Sequence, residues 1–156
     1  MNWTLKRYHV DQATAQQLAE AIIEFWDGLV LTEVAVEEFQ GSFPPDWPGQ
    51  WRVLSREPWV IWLLDGFKAN HGYSWADPHN VALVRNTSPL GIAPRSFITW
   101  TACHEVAHIY TGGSSHCSSF PGFFVLSRFA DVLAYFTAKQ WRKLCPTHRR
   151  QLRGGL

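Results

Sequence analysis

An excess of charge of one sign is what this 156-residue sequence most clearly lacks. Lys and Arg number 14 against 13 Asp and Glu, a formal net charge of +1. No general electrostatic pull toward nucleic acid or anionic lipid follows, so neither is expected as a partner. The one basic concentration, Arg142-Lys143 and His148 through Arg153, reads as a solvated tail. Long hydrophobic runs are missing too: no stretch approaches the roughly 20 apolar residues that span a bilayer. The opening Met-Asn-Trp-Thr-Leu-Lys-Arg-Tyr-His-Val lacks the uninterrupted apolar core of a secretory signal, so a soluble cytoplasmic protein is expected. Three cysteines cannot all pair within the chain, which excludes a closed disulfide framework. Methionine is confined to Met1. Repeats, low-complexity segments and linkers are absent, so residues 1–156 read as a single domain, long enough to bury a core without staples.

What is there is apolar and aromatic. Hydrophobic residues make up 46% and charged ones 17%, a composition that argues against disorder. Nine tryptophans are unusual for the length. Trp47, Trp51, Trp59, Trp62 and Trp75 crowd the middle third and read mainly as core and loop packing.

The chemistry is concentrated in Thr101-Ala-Cys-His-Glu-Val-Ala-His108. His104 and His108, four residues apart on a helix, project from neighbouring turns of one face and can grip a single ion. Glu105, one step round, can reach a water at that ion without being a ligand. Ile98, Ala102, Val106 and Ile109 form an apolar stripe at helical spacing, roughly opposite the histidines. Pro94 suits the first turn of this helix and Gly112-Gly113 its end. Cys103 reads as a small buried residue.

Along the chain, Asp11 is a cap for a helix running to about Trp26, with Ala15, Leu18, Ala19, Ile22, Ile23, Phe25 and Trp26 on a broad buried face and Gly28 at its end. Leu29 to Val36 reads as a strand, and Gly41 to Gly49, with three prolines, as a loop. The run from Pro58 to Ala69 is strongly apolar and leans toward a buried helix. A loop through Trp75-Ala-Asp-Pro78 leads to a short strand, Asn80 to Arg85. After the His-Glu-x-x-His helix and a loop from Gly112 to Gly122, the run from Phe123 to Ala138 leads into a final helix, and Cys145-Pro-Thr-His148 closes the ordered chain. The order is helix, strand, helix, strand, helix, helix, a small α+β layer structure.

Catalytic zinc usually takes three protein ligands and leaves a fourth position for water. His116 and Asp131 are the two candidates for the third. The glycines of Thr111-Gly-Gly-Ser-Ser115 give His116 a route back to the ion, and imidazole suits zinc. Asp131 lies on the following helix. Zinc there would acidify water toward a pKa of about 7 and polarise a carbonyl. Glu105 would take the water's proton and pass it to the leaving amine. The expected reaction is therefore hydrolysis of a peptide bond in a peptide or protein substrate. Trp75, Val81 and Leu83 are candidates for a strand edge that pairs with that substrate. His9, His71 and His79 read as surface or loop residues.

The residues from about 75 to 152 resemble the archaemetzincins, a branch of the metzincin zinc peptidases. In that family His-Glu-x-x-His-x-x-Gly-x-x-His is followed directly by cysteine, and a closing phrase like Leu-Cys-Pro-x-Cys helps to hold a second zinc. Here His104-Glu-Val-Ala-His108 is followed by His116-Cys117 and then by Leu144-Cys-Pro-Thr-His148. Ala76-Asp-Pro78 and Val81-Ala-Leu-Val84 also look like the family's strand before the metal helix. The resemblance implies a zincin-like domain: a mixed β-sheet, a metal-binding active-site helix and a C-terminal helix. It implies His104, His108 and His116 as ligands of a catalytic zinc and Glu105 as general base. It also implies Cys117, Cys145 and His148 in a second, structural zinc site, with histidine replacing the last cysteine. The sequence departs from the pattern in three ways. Two extra residues separate His108 from His116, an aromatic (Phe123 or Phe124) stands near the place of the remaining cysteine, and Leu126 stands where the family has its Met-turn methionine. Two other readings keep the helix. One is a gluzincin-like, regulator-cleaving peptidase with Asp131 as third ligand; the other is a non-catalytic zinc-binding module, for which Glu105 would have no use.

Overall fold

The structure, a computed structural model, describes residues 2–26, 32–41, 59–65, 71–76, 79–111 and 128–139. His116, Cys117, Cys145 and His148 lie outside these residues, as do Gly28, Gly112, Gly113, Phe123, Phe124 and Leu126. The described elements run β1 (Asn2–Tyr8), α1 (Gln12–Trp26), β2 (Glu33–Glu38), β3 (Val60–Leu64), β4 (Gly72–Trp75), β5 (Val81–Arg85), α2 (Pro94–Thr111) and α3 (Ala130–Lys139). The strands form one mixed sheet of order β2-β1-β3-β5-β4. β1 pairs in parallel with β2 and β3, and β3 with β5; β4 alone runs antiparallel, on β5.

At β3 and β5 both faces of the sheet are covered, which is why Val60–Leu64 and Val81–Val84 are apolar without a break, whereas β1 alternates buried Trp3 and Leu5 with half-buried Thr4 and Lys6. On one face Trp3, Leu5, Ile61, Leu63, Ala82 and Val84 pack with Ala15, Leu18, Ala19 and Ile22 of α1 and with Ile98, Ala102, Val106 and Ile109 of α2. On the other, Val60, Trp62, Leu64, Val81 and Leu83 form a second cluster, with Tyr8, Phe39, Tyr73 and Trp75 against it. The Lys6 ammonium lies 5.6 Å from the centre of the Trp62 ring, its alkyl stem shielding the sheet while the charge meets the π face. Trp59 sits just before β3 at a φ of 64°, a left-handed conformation that costs a non-glycine residue about 1 kcal/mol or more. Its ring meets Trp3 edge-on at 5.3 Å and stacks on Tyr110 at 5.7 Å, contacts that hold it there.

Three expectations need correction. The run after Pro58 is a strand, not a helix. Val60 to Leu64 are each no more than 1% exposed, and a short run buried on both sides is the pattern of an inner parallel strand. Residues 72–75 are a strand rather than loop; pairing with β5 decides it where intrinsic propensity is weak. The opening residues form β1, paired on both sides, and the alternation of buried Trp3 and Leu5 with Thr4 and Lys6 carried that signal. Other expectations agree. Asp11 caps α1, its carboxylate accepting from the Thr14 amide at 2.9 Å and the Thr14 hydroxyl at 2.7 Å. Pro94 opens α2, and Val81–Arg85 is a strand. The last described helix begins at Ala130, and β2 shares Glu33 to Val36 with the strand expected there and runs on to Glu38.

Candidate metal centre

α2 is packed on nearly every side. From Thr101 to Ala107 every residue is buried, so the helix carries its polar residues into the protein rather than displaying them to water. His104 and His108, one turn apart, turn their Nε2 atoms toward each other at 3.0 Å, with ring planes 86° apart. The rings form a short line with Trp100, whose centroid is 5.2 Å from that of His104. Beyond Trp100, α3 packs onto the first half of α2, Val132 joining Ile92 and Phe97 in a small cluster.

Zinc–imidazole bonds of about 2.0–2.1 Å at a tetrahedral angle place two ligand nitrogens roughly 3.3 Å apart. The His104–His108 pair is within a few tenths of an ångström of that spacing, and the donor type is the one zinc prefers. The two residues therefore fit as half of a tetrahedral site. Among the described residues no third histidine, cysteine, aspartate or glutamate joins them. Asp131 in particular stands exposed on the first turn of α3, its carboxylate accepting from the Val132 amide at 3.0 Å. The reading that makes it the third ligand gains nothing from this placement.

The Glu105 carboxyl lies against the edge strand β4. Burial pushes its pKa up from 4.5 to about 7, and a hydrogen bond from the Ser74 hydroxyl opposes that rise. β4 approaches so closely that a Cβ on Gly72 would lie 2.7 Å from Thr101 Cγ2 and 2.9 Å from Glu105 Oε1. Neither Gly72 nor Ser74 was expected at the site. The available signal was the alternation of small Gly72 and Ser74 with large Tyr73 and Trp75, which marks a strand pressed against something on one face. Tyr73 and Trp75 stack on the opposite face at 5.8 Å.

Cys103 is buried and free, its thiol pKa raised by burial, as a small core residue should be. His71, in the bend just before β4, is half-buried; its ring meets Phe97 edge-on at 4.7 Å, and burial, then the nearby Arg85 charge, lower its pKa. Of the expected substrate-pairing residues, Val81 and Leu83 belong to β5, which is paired on both sides, while Trp75 alone lies on the edge strand.

A crystal structure of archaemetzincin from Archaeoglobus fulgidus, complexed with malonate, superposes on this chain with a TM-score of 0.57 at 18% identity, over 76% of this chain and 82% of that one. The fold is archaemetzincin-like. No family model matches the sequence, and no curated protein does. The archaemetzincin-like fold is α+β, with the mixed sheet on one side of the His-Glu-x-x-His helix and α3 after it. Among the described residues no helix is long and apolar enough to cross a membrane.

Proposed function

We propose that this chain is a zinc-dependent metallopeptidase that hydrolyses peptide bonds with Glu105 as general base. The observation that carries the reading is the convergence of His104 and His108 through Nε2 at 3.0 Å, with a buried carboxylate on the adjacent residue. A merely structural zinc site would gain nothing from that carboxylate, whose burial is costly. His104 and His108 hold the catalytic ion, and His116, arriving after the glycines, completes the set. Cys117, Cys145 and His148 hold a second, structural zinc. When bound at the histidines, zinc supplies Lewis acidity that polarises a carbonyl and acidifies water.

The chain's own groups do the rest. The Glu105 carboxylate accepts a proton from the attacking water and returns it to the leaving amine. A bound zinc beside it favours the ionised carboxylate, the form in which it serves as a base. The Trp100 ring covers one side of His104. A peptide in extended form is the substrate class, and the cytoplasm the compartment, where Cys103, Cys117 and Cys145 would be reduced unless metal-bound. Emission spectroscopy on native protein tests the metal: two zinc ions per chain are expected, falling to one in Cys145→Ser. Glu105→Gln should retain zinc and lose peptidase activity. A native protein without zinc, or a fully active Glu105→Gln, refutes the reading.

A further inference from the structure

We infer that β4 is the support of the general base: the Ser74 hydroxyl holds the Glu105 carboxylate in place, and the missing side chain at Gly72 makes room for it. The inference rests on the reading of Glu105 as the base and adds the two positions that aim it.

The strand register puts both residues where they must be. Leu5, Ile61, Ala82 and Ser74 align across β1, β3, β5 and β4 as one row. The next row brings Leu63, Val84 and Gly72 together. On the inner strands these rows are apolar and pack under the helices. At β4 they end in a hydroxyl and in a hydrogen atom, although a branched apolar side chain would cover more of α2. The exception falls opposite Thr101 and Glu105, neighbours at i and i+4 on one face of the helix.

Thr101 does not compete for the carboxylate. Its hydroxyl donates to the Phe97 carbonyl at 2.9 Å, which leaves its methyl group facing Gly72. Nor can β4 shift by one residue, because the Tyr73–Trp75 stack would then turn a ring onto Glu105. A glutamate on a helix has three rotatable bonds. Between a strand backbone with no Cβ and a hydroxyl that donates to it, one orientation is selected. Ser74 is thus a positioning residue, acting through Glu105 and not on the substrate.

The test uses the full-length zinc-loaded protein and a quenched fluorescent peptide that it cleaves, chosen from a mixed-sequence library. Ser74→Ala should lower kcat about 10- to 100-fold while KM and zinc per chain stay unchanged, a split that loose packing alone would not produce. An independent measurement needs no activity. In thermal melts, Ser74→Ala should lower the midpoint by about 3 °C in the wild-type background and not at all in Glu105→Ala. Additive shifts, or an unchanged kcat in Ser74→Ala, overturn the positioning role and leave Glu105 as the base. A fully active Glu105→Gln overturns both.

Discussion

The buried carboxylate should make this protein less stable at neutral pH than at acid pH, and one substitution isolates the effect. With Glu105 raised from 4.5 to about 7 in the folded chain, the folded state binds more protons than the unfolded state between those values. Stability is therefore intact below about pH 4.5, is lost as pH rises through the interval, and stays lost above 7. At 1.36 kcal/mol per pH unit the loss is roughly 3 kcal/mol. Glu105→Gln keeps the shape and an acceptor for the Ser74 hydroxyl but never ionises. In the presence of a chelator it should melt near the wild type at pH 5 and well above it at pH 8. A chain of this size shifts by about 2–4 °C per kcal/mol, so the expected gap at pH 8 is on the order of 6–12 °C. Circular dichroism melts at the two pH values read it directly. Comparing variant with wild type cancels the histidines, among them His71, whose lowered pKa works in the opposite sense by weakening the fold as pH falls. Zinc added back should narrow the gap, since a nearby cation favours the ionised carboxylate. A gap of equal size at both pH values would refute the burial argument.

Gly72→Ala should destabilise by about 1–3 kcal/mol, because the new methyl meets Thr101 and Glu105 at under 3 Å; urea unfolding measures it, and an unchanged midpoint would mean that β4 can retreat freely. His116→Ala should lose the catalytic zinc while Asp131→Ala retains it, as emission spectroscopy on the two purified variants will show. Leu63→Ala empties a site that is 0% exposed in the middle of the sheet and should cost about 2–5 kcal/mol, read as a lower melting midpoint.

Sequence pattern reached the helices more readily than the sheet. α1 announced itself by a capping aspartate and a 3.6-residue stripe, and α2 by proline, stripe and paired histidines, all local signals. β3 did not, because an apolar run buried on both faces has no period by which to tell strand from helix. β4 failed for a different reason. Four residues opening with glycine form a strand only because β5 lies alongside, and that pairing is invisible in a linear reading. The same gap hid Ser74 and Gly72. His104, Glu105 and His108 are legible because their relation is fixed by helical geometry over five residues. The partners of Glu105 come from a strand some thirty residues earlier, brought there by register.

The sheet order also bears on how the chain is made. β1 leaves the ribosome ahead of everything it pairs with, yet it ends between β2 and β3. Until both have emerged, Trp3 and Leu5 have no cover beyond what α1 can lend, and an amphipathic helix beside an unpaired strand is a natural client for a holding chaperone. Swapping the helix that follows β1 for a weaker helix former would therefore be felt first in soluble yield, before any effect on the melting temperature of the finished molecule.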